Sequence, residues 1–149
     1  MSSTATNSLL LVGRVLLSAM FILSGLPKLI DPSGTAGMIT SAGIPAATLL
    51  TYVAGIFEIL AGLAVLLGFK TRIAALLLAA FSVFTALVFH SSAINIPGFP
   101  DAANGMLSMF NQLNMMKNLT IAGGFLVLAA AGAGAYSIDG RRGSVAITA

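Results

Sequence analysis

Four long apolar stretches, separated by shorter polar or Gly/Pro-punctuated breaks, set the pattern of this chain. They run roughly over 9–29, 46–67, 72–90 and 117–135. Each approaches the ~20 residues a helix needs to cross a ~30 Å hydrocarbon core. Small residues recur on all of them, among them Gly13, Ser18 and Gly25 on the first and Gly55, Ala61 and Gly62 on the second. In lipid, such residues let helices approach closely. The pattern predicts an all-α membrane protein, a single domain over 1–149 folded as a four-transmembrane-helix up-down bundle. The breaks differ in length. "GFKTR" (Gly68–Arg72) reads as a tight turn, and 31–45 as a moderate Gly/Pro-rich connection. The stretch 91–116 is a long loop, whose part Met106–Met116 reads either as a short interfacial helix or as disorder. The opening "MSSTATNS" has no basic residue, and the apolar run behind it continues to Ile30. That run is longer than a signal-peptide core and is expected to stay as a membrane helix.

Composition sharpens the class. Hydrophobic residues make up 58% of the 149 and charged residues 7%, against about 25% charged in a soluble domain. Too few charges remain to coat a soluble surface. Seven Lys and Arg are too sparse for a nucleic-acid stripe and read instead as topology signals. With four crossings, Arg14, Lys70, Arg72, Arg141 and Arg142 share one side, and Lys28 and Lys117 the other. The positive-inside rule then places both termini in the cytoplasm. No cysteine is present, which excludes disulfides, thiol redox chemistry and Cys-ligated clusters within the chain. One histidine and four scattered acids predict no metal site. "GAGAYS" (Gly132–Ser137) follows a membrane segment rather than a strand, so it reads as helix termination, not a dinucleotide loop.

Candidate chemistry starts at "FILSGLPKLIDP" (21–32), where Pro27 and Lys28 interrupt the end of the first segment. One reading is an anchor, with Lys28 snorkelling out to the interface. The other is a binding mouth. The up-down order brings Lys28, His90, Lys117 and Asn118 to the same outer level. Three basic or ring side chains and an amide there fit an electron-rich head group, a quinone-like or anionic amphiphile whose tail fills an apolar cavity between the helices. Deeper in the bilayer, Arg14 and Glu58 lie on facing stripes, and intramembrane charges are usually paired. An Arg14–Glu58 ion pair is expected, serving either helix register or a catalytic or proton-carrying role.

The ordered set "GRVLLSAMFILSGLPKLIDP", "GIP", "FEILAGLAVLLGFKTRIAALLLAAF", "FH" and "MKNLTIAGGFLVLAAAGAGAYSID" covers nearly all of the chain and resembles the DoxX family of small bacterial inner-membrane proteins. The resemblance implies four transmembrane helices in the inner membrane and shared polar positions at Arg14, Lys28, Glu58, His90, Lys117 and Asn118. It implies a redox-associated role as a subunit or quinone-interacting factor of a membrane oxidoreductase system, with a membrane or soluble oxidoreductase as partner and quinone as the cofactor. The alternatives are a non-enzymatic membrane scaffold or lipid binder, and a small proton-linked carrier.

Overall fold

The computed structural model describes residues 3–141, so Arg142, counted above among the basic residues, lies outside the described residues. Among the described residues the main helices are, in order, α1 (Ser3–Ile30), α2 (Ser33–Ser41), α3 (Ala47–Leu67), α4 (Thr71–Phe89) and α5 (Asp101–Ala131). All but α2 are long and apolar enough to cross a membrane. Large apolar side chains such as Leu16, Leu23, Leu60 and Val127 face outward, as expected where lipid replaces water as the solvent. The ends of the bundle are called here the terminal end, where α1 starts, and the mouth end, where α1 finishes.

The helices associate as two pairs, α1 with α3 and α4 with α5. Glycine sets the first. A Cβ on Gly25 would lie 2.7 Å from the Gly55 carbonyl oxygen and 2.7 Å from Ile59 Cγ1. One on Gly62 would meet Ile22 Cγ1 at 3.0 Å. The two backbones are in direct contact, which only glycine allows. Alanines set the second pair, with Ala75, Ala79, Ala122 and Ala129 clustered with Leu78 and Phe125 in the core.

Two elements depart from the sequence expectation. The first connection contains α2, which buries Ile39. The loop expected over 91–116 is mostly helix, because α5 begins at Asp101 and runs 31 residues, about 46 Å. That exceeds a ~30 Å hydrocarbon core by several turns. Polar residues one turn apart explain the extension. Asn104 Oδ1 accepts from Ile96 N (2.9 Å), Ser108 Oγ accepts from Ile94 N (2.9 Å), and Asn111 Nδ2 donates to Ser92 O (2.9 Å). These three lie on one face of α5 and satisfy the backbone of an extended segment that has no strand to pair with. Residues 106–116 are thus neither an isolated interfacial helix nor disorder but lie in the first half of one continuous helix.

At the terminal end the chain folds back after α5 as a strap. Gly132 ends the helix with φ 82°. Asp139 then reaches α4, its carboxylate accepting from Lys70 N (2.9 Å), Thr71 N (2.8 Å) and Thr71 Oγ1 (2.8 Å). A carboxylate at a helix N-terminus meets unpaired N–H groups and the positive end of the dipole. It also holds Lys70 in its left-handed conformation, φ 45°, a costly one for a residue with a Cβ. Asn7 Oδ1 accepts from Ala135 N (2.8 Å), tying the strap to α1.

Candidate functional site

The expected Arg14–Glu58 pair does not form. Arg14 is buried, and its Nη1 and Nη2 donate to the carbonyls of Ala133 and Tyr136, each at 2.7 Å. It fastens the strap. Glu58 pairs instead with Lys28, Nζ to Oε2 at 2.9 Å. Register and side-chain direction give the reason. Because Gly25 faces Gly55, Glu58 is level with Ile22, eight residues beyond Arg14, or about 12 Å along the axis. Helical side chains also lean toward their own N-terminus. On α1 that directs Arg14 away from Glu58 and Lys28 toward it.

Lys28 therefore does not snorkel outward. It bends back into the bundle, where Nζ also donates to Ser24 O (3.1 Å) and Ser24 Oγ (2.9 Å). All three ammonium protons are used, and the charge is cancelled by Glu58. The side chains of the pair are 15% and 4% exposed.

Lys28 and Glu58 form part of the wall of a cavity of about 610 Å³ between the two helix pairs in the mouth half. His90, Lys117 and Asn118 line the same cavity. All four residues expected at the mouth are thus brought together, and Glu58 joins them. Asn118 Nδ2 lies 3.4 Å from Thr85 Oγ1, and Lys117 Nζ donates to the neutral Asn114 Oδ1 at 2.7 Å. Of the charged lining side chains, Lys28 and Glu58 cancel, and Lys117 supplies the excess positive charge. His90 Nδ1 sits 2.7 Å from Asn111 Oδ1. Asn111 spends its amide nitrogen on Ser92 O, so its oxygen accepts and Nδ1 must carry the proton. In the neutral ring Nε2 is then the acceptor.

The floor is aromatic. Phe21 of α1, Phe57 of α3 and Phe81 of α4 line the cavity. Behind them Phe125 of α5 is fully buried. Phe21 stacks edge-on against Phe125 at 5.4 Å and Phe81 at 6.5 Å, and Phe57 meets Phe81 at 5.2 Å. Each spanning helix gives one ring to a plate that divides the bundle. Hydropathy alone does not mark these rings, although a phenylalanine near the middle of each apolar segment is a usable signal. Asn114, Asn111 and Asp139 also went unnoticed, since nothing in an apolar pattern marks a polar residue in a connection as structural.

Outside the membrane-spanning helices, Asp31 follows α1. Hydrogen bonds from the Ser33 side chain and backbone hold its carboxyl below the usual carboxylate range. A second hollow of about 580 Å³ lies at the terminal end beside Lys70, Arg72 and Asp139. Its carboxylate is already committed to the start of α4, so the mouth cavity is the better candidate.

Comparison with known proteins gives a family and two inner-membrane relatives. The family model described as DoxX matches residues 9–91. The chain is 40% identical over 129 residues to inner membrane protein YqjF of Escherichia coli (strain K12), covering 87% of this chain and 88% of that protein. It is 35% identical over 133 residues to inner membrane protein YphA of the same organism, covering 89% of each. No solved structure matches the chain.

Proposed function

The chain belongs to the DoxX family and is an integral inner-membrane protein, and we propose that its mouth cavity binds a quinone-like amphiphile as the quinone-interacting subunit of a membrane oxidoreductase system. The observation that carries this reading is the cavity's composition. About 610 Å³ of mainly apolar and aromatic lining holds a few convergent polar groups, the usual make-up of a small-molecule site. Quinone carbonyls need hydrogen-bond donors, and Lys117 and Asn118 carry them. A quinol hydroxyl needs an acceptor, and Nε2 is the His90 ring nitrogen that Asn111 does not engage. Lys28 and Glu58 contribute a local dipole rather than net charge. Without cysteine the chain has no thiol couple, so a partner oxidoreductase supplies or takes the electrons. The excess positive charge at Lys117 favours a second reading, a non-enzymatic binder of an anionic lipid.

Extraction of gently solubilised protein followed by mass spectrometry tests both. Quinone is expected to accompany the parent and to be lost from Lys117→Ala, His90→Ala and Asn118→Ala, with melting temperatures little changed. Anionic lipid in place of quinone supports the second reading. If the parent holds neither, and calorimetry with a short-tail ubiquinone gives no heat of binding, the site reading fails.

A further inference from the structure

Resting on the reading that an amphiphile occupies the mouth cavity, we infer that its hydrocarbon tail reaches the bilayer sideways, through the seam between α3 and α4. Apart from the mutually paired Lys28 and Glu58, the lining is uneven around the cavity, and Met38 and Ile39 of α2 add to its apolar part. The α4–α5 side carries Thr85, His90, Asn114, Lys117 and Asn118. The α3 and α4 walls carry Leu50, Val53 and Phe57, and Phe81 and Phe84, respectively. A polar head and an apolar tail therefore have different walls to lie against.

The seam is closed at mid-depth and open above it. Phe57 and Phe81 touch across it at 5.2 Å. One turn nearer the mouth, Val53 is 53% exposed and Phe84 51% exposed, while both still line the cavity. A residue that both lines a cavity and faces outward stands on the rim of an opening. Within a spanning helix, outward is toward lipid. The mouth half of the seam is thus a port with wholly apolar jambs, and passing a charged head through it would cost desolvation that a chain does not incur. Lys117 and Asn114 on α5, by contrast, suit a head group or water. The ligand class that follows has a compact polar head and a flexible hydrocarbon chain, isoprenoid or acyl, and it exchanges with the membrane rather than with bulk water.

The chain has neither tryptophan nor cysteine, so both can be introduced cleanly. Phe21→Trp puts a reporter on the cavity floor at a position 6% exposed. Phe57→Trp is the alternative should that variant fold poorly. In vesicles of lipids brominated along the acyl chain, the reporter is expected to lose fluorescence relative to unbrominated vesicles. Joining Val53→Cys to Phe84→Cys with a short bis-maleimide is expected to abolish that loss. Absence of quenching in both reporters, or quenching unchanged by the cross-link, overturns the port. This readout needs no quinone. A protein that shows seam-dependent quenching yet retains no quinone keeps the port and loses the quinone assignment.

Discussion

Lys28 shows how much a single side chain depends on its direction. In an apolar helix near its end, a lysine can lean outward to water or inward to a partner. Here it leans inward, because Ser24 lies one turn back and Glu58 stands across the Gly25–Gly55 contact. The pair is deep enough that removing one partner strands the other. Losses of about 3–5 kcal/mol are typical of buried pairs in water-soluble proteins, and coupling in membrane proteins is more often about 0.6–1.7 kcal/mol. Lys28→Leu and Glu58→Leu are each expected to lower thermal stability in detergent. The double substitution is expected to recover part of the loss, because it leaves no charge behind. Strictly additive losses would count against direct coupling. Arg14→Leu combined with Glu58→Leu is expected to be additive, since the two never meet. The sequence revealed which residues are ionisable inside the span and that they need partners. It did not reveal who partners whom, because that depends on helix register, which glycine contacts set, and on the N-terminal lean of every helical side chain. The convergence of Lys28, His90, Lys117 and Asn118 was legible, since it required only the span count and the direction of each helix.

At the scale of elements, the glycines do more than loosen the helices. The α1–α3 pair is closed by backbone contact at Gly25 and Gly55, and the cavity exists because the two pairs stay apart in the mouth half. Gly25→Ala places a Cβ 2.7 Å from a carbonyl oxygen, an atom that cannot swing aside. It must push α3 away and disturb Lys28–Glu58, at a cost of about 1–3 kcal/mol by analogy with overpacked cores. Gly13→Ala is the internal control, because nothing lies within 4 Å of its added Cβ, and better helix propensity makes it neutral or mildly stabilising. Melting curves of the two variants in the same detergent compare them directly, and equal melting temperatures would refute the close-contact argument. The four spans were legible because lipid demands length and apolarity together. The early start of α5 was not, since its first turns are polar and hydropathy reads them as loop. What keeps them helical is the Asn104, Ser108 and Asn111 face, each residue bonded to the backbone of the connection beside it. α2 was hidden for a similar reason, its Gly- and Ser-rich sequence resembling a connection.

For the whole molecule, the two ends of the bundle do different work, and that difference bears on orientation. The mouth end holds a cavity with polar groups around it. The terminal end is tied shut by Arg14 and Asp139, which clamp the strap to α1 and to the start of α4. Of the described basic residues, Arg14, Lys70, Arg72 and Arg141 lie toward the terminal end, while Lys28 and Lys117 lie toward the mouth. Burial sharpens the contrast. Lys28 is neutralised by Glu58 inside the bundle, so it is a poor retention signal, and the mouth end is left with Lys117. The tight turn between α3 and α4 holds both Lys70 and Arg72 close to the spans, the setting in which positive charge fixes topology most strongly. Both termini are therefore expected in the cytoplasm, with the cavity opening on the opposite side of the membrane and in that leaflet. A reporter that fluoresces only in the cytoplasm, fused after Ala149, is expected to be active. An alkaline phosphatase fused in the connection 91–100 is expected to be active only because it is exported. The converse pattern would invert the molecule, turning the mouth to the cytoplasm and placing the lateral port in the inner leaflet. Replacing Lys70 and Arg72 with glutamine should weaken the preference and give mixed topology, whereas Lys28→Gln should leave it unchanged. If Lys28→Gln shifts the orientation instead, then Lys28 is unpaired during insertion and meets Glu58 only after the helices have crossed.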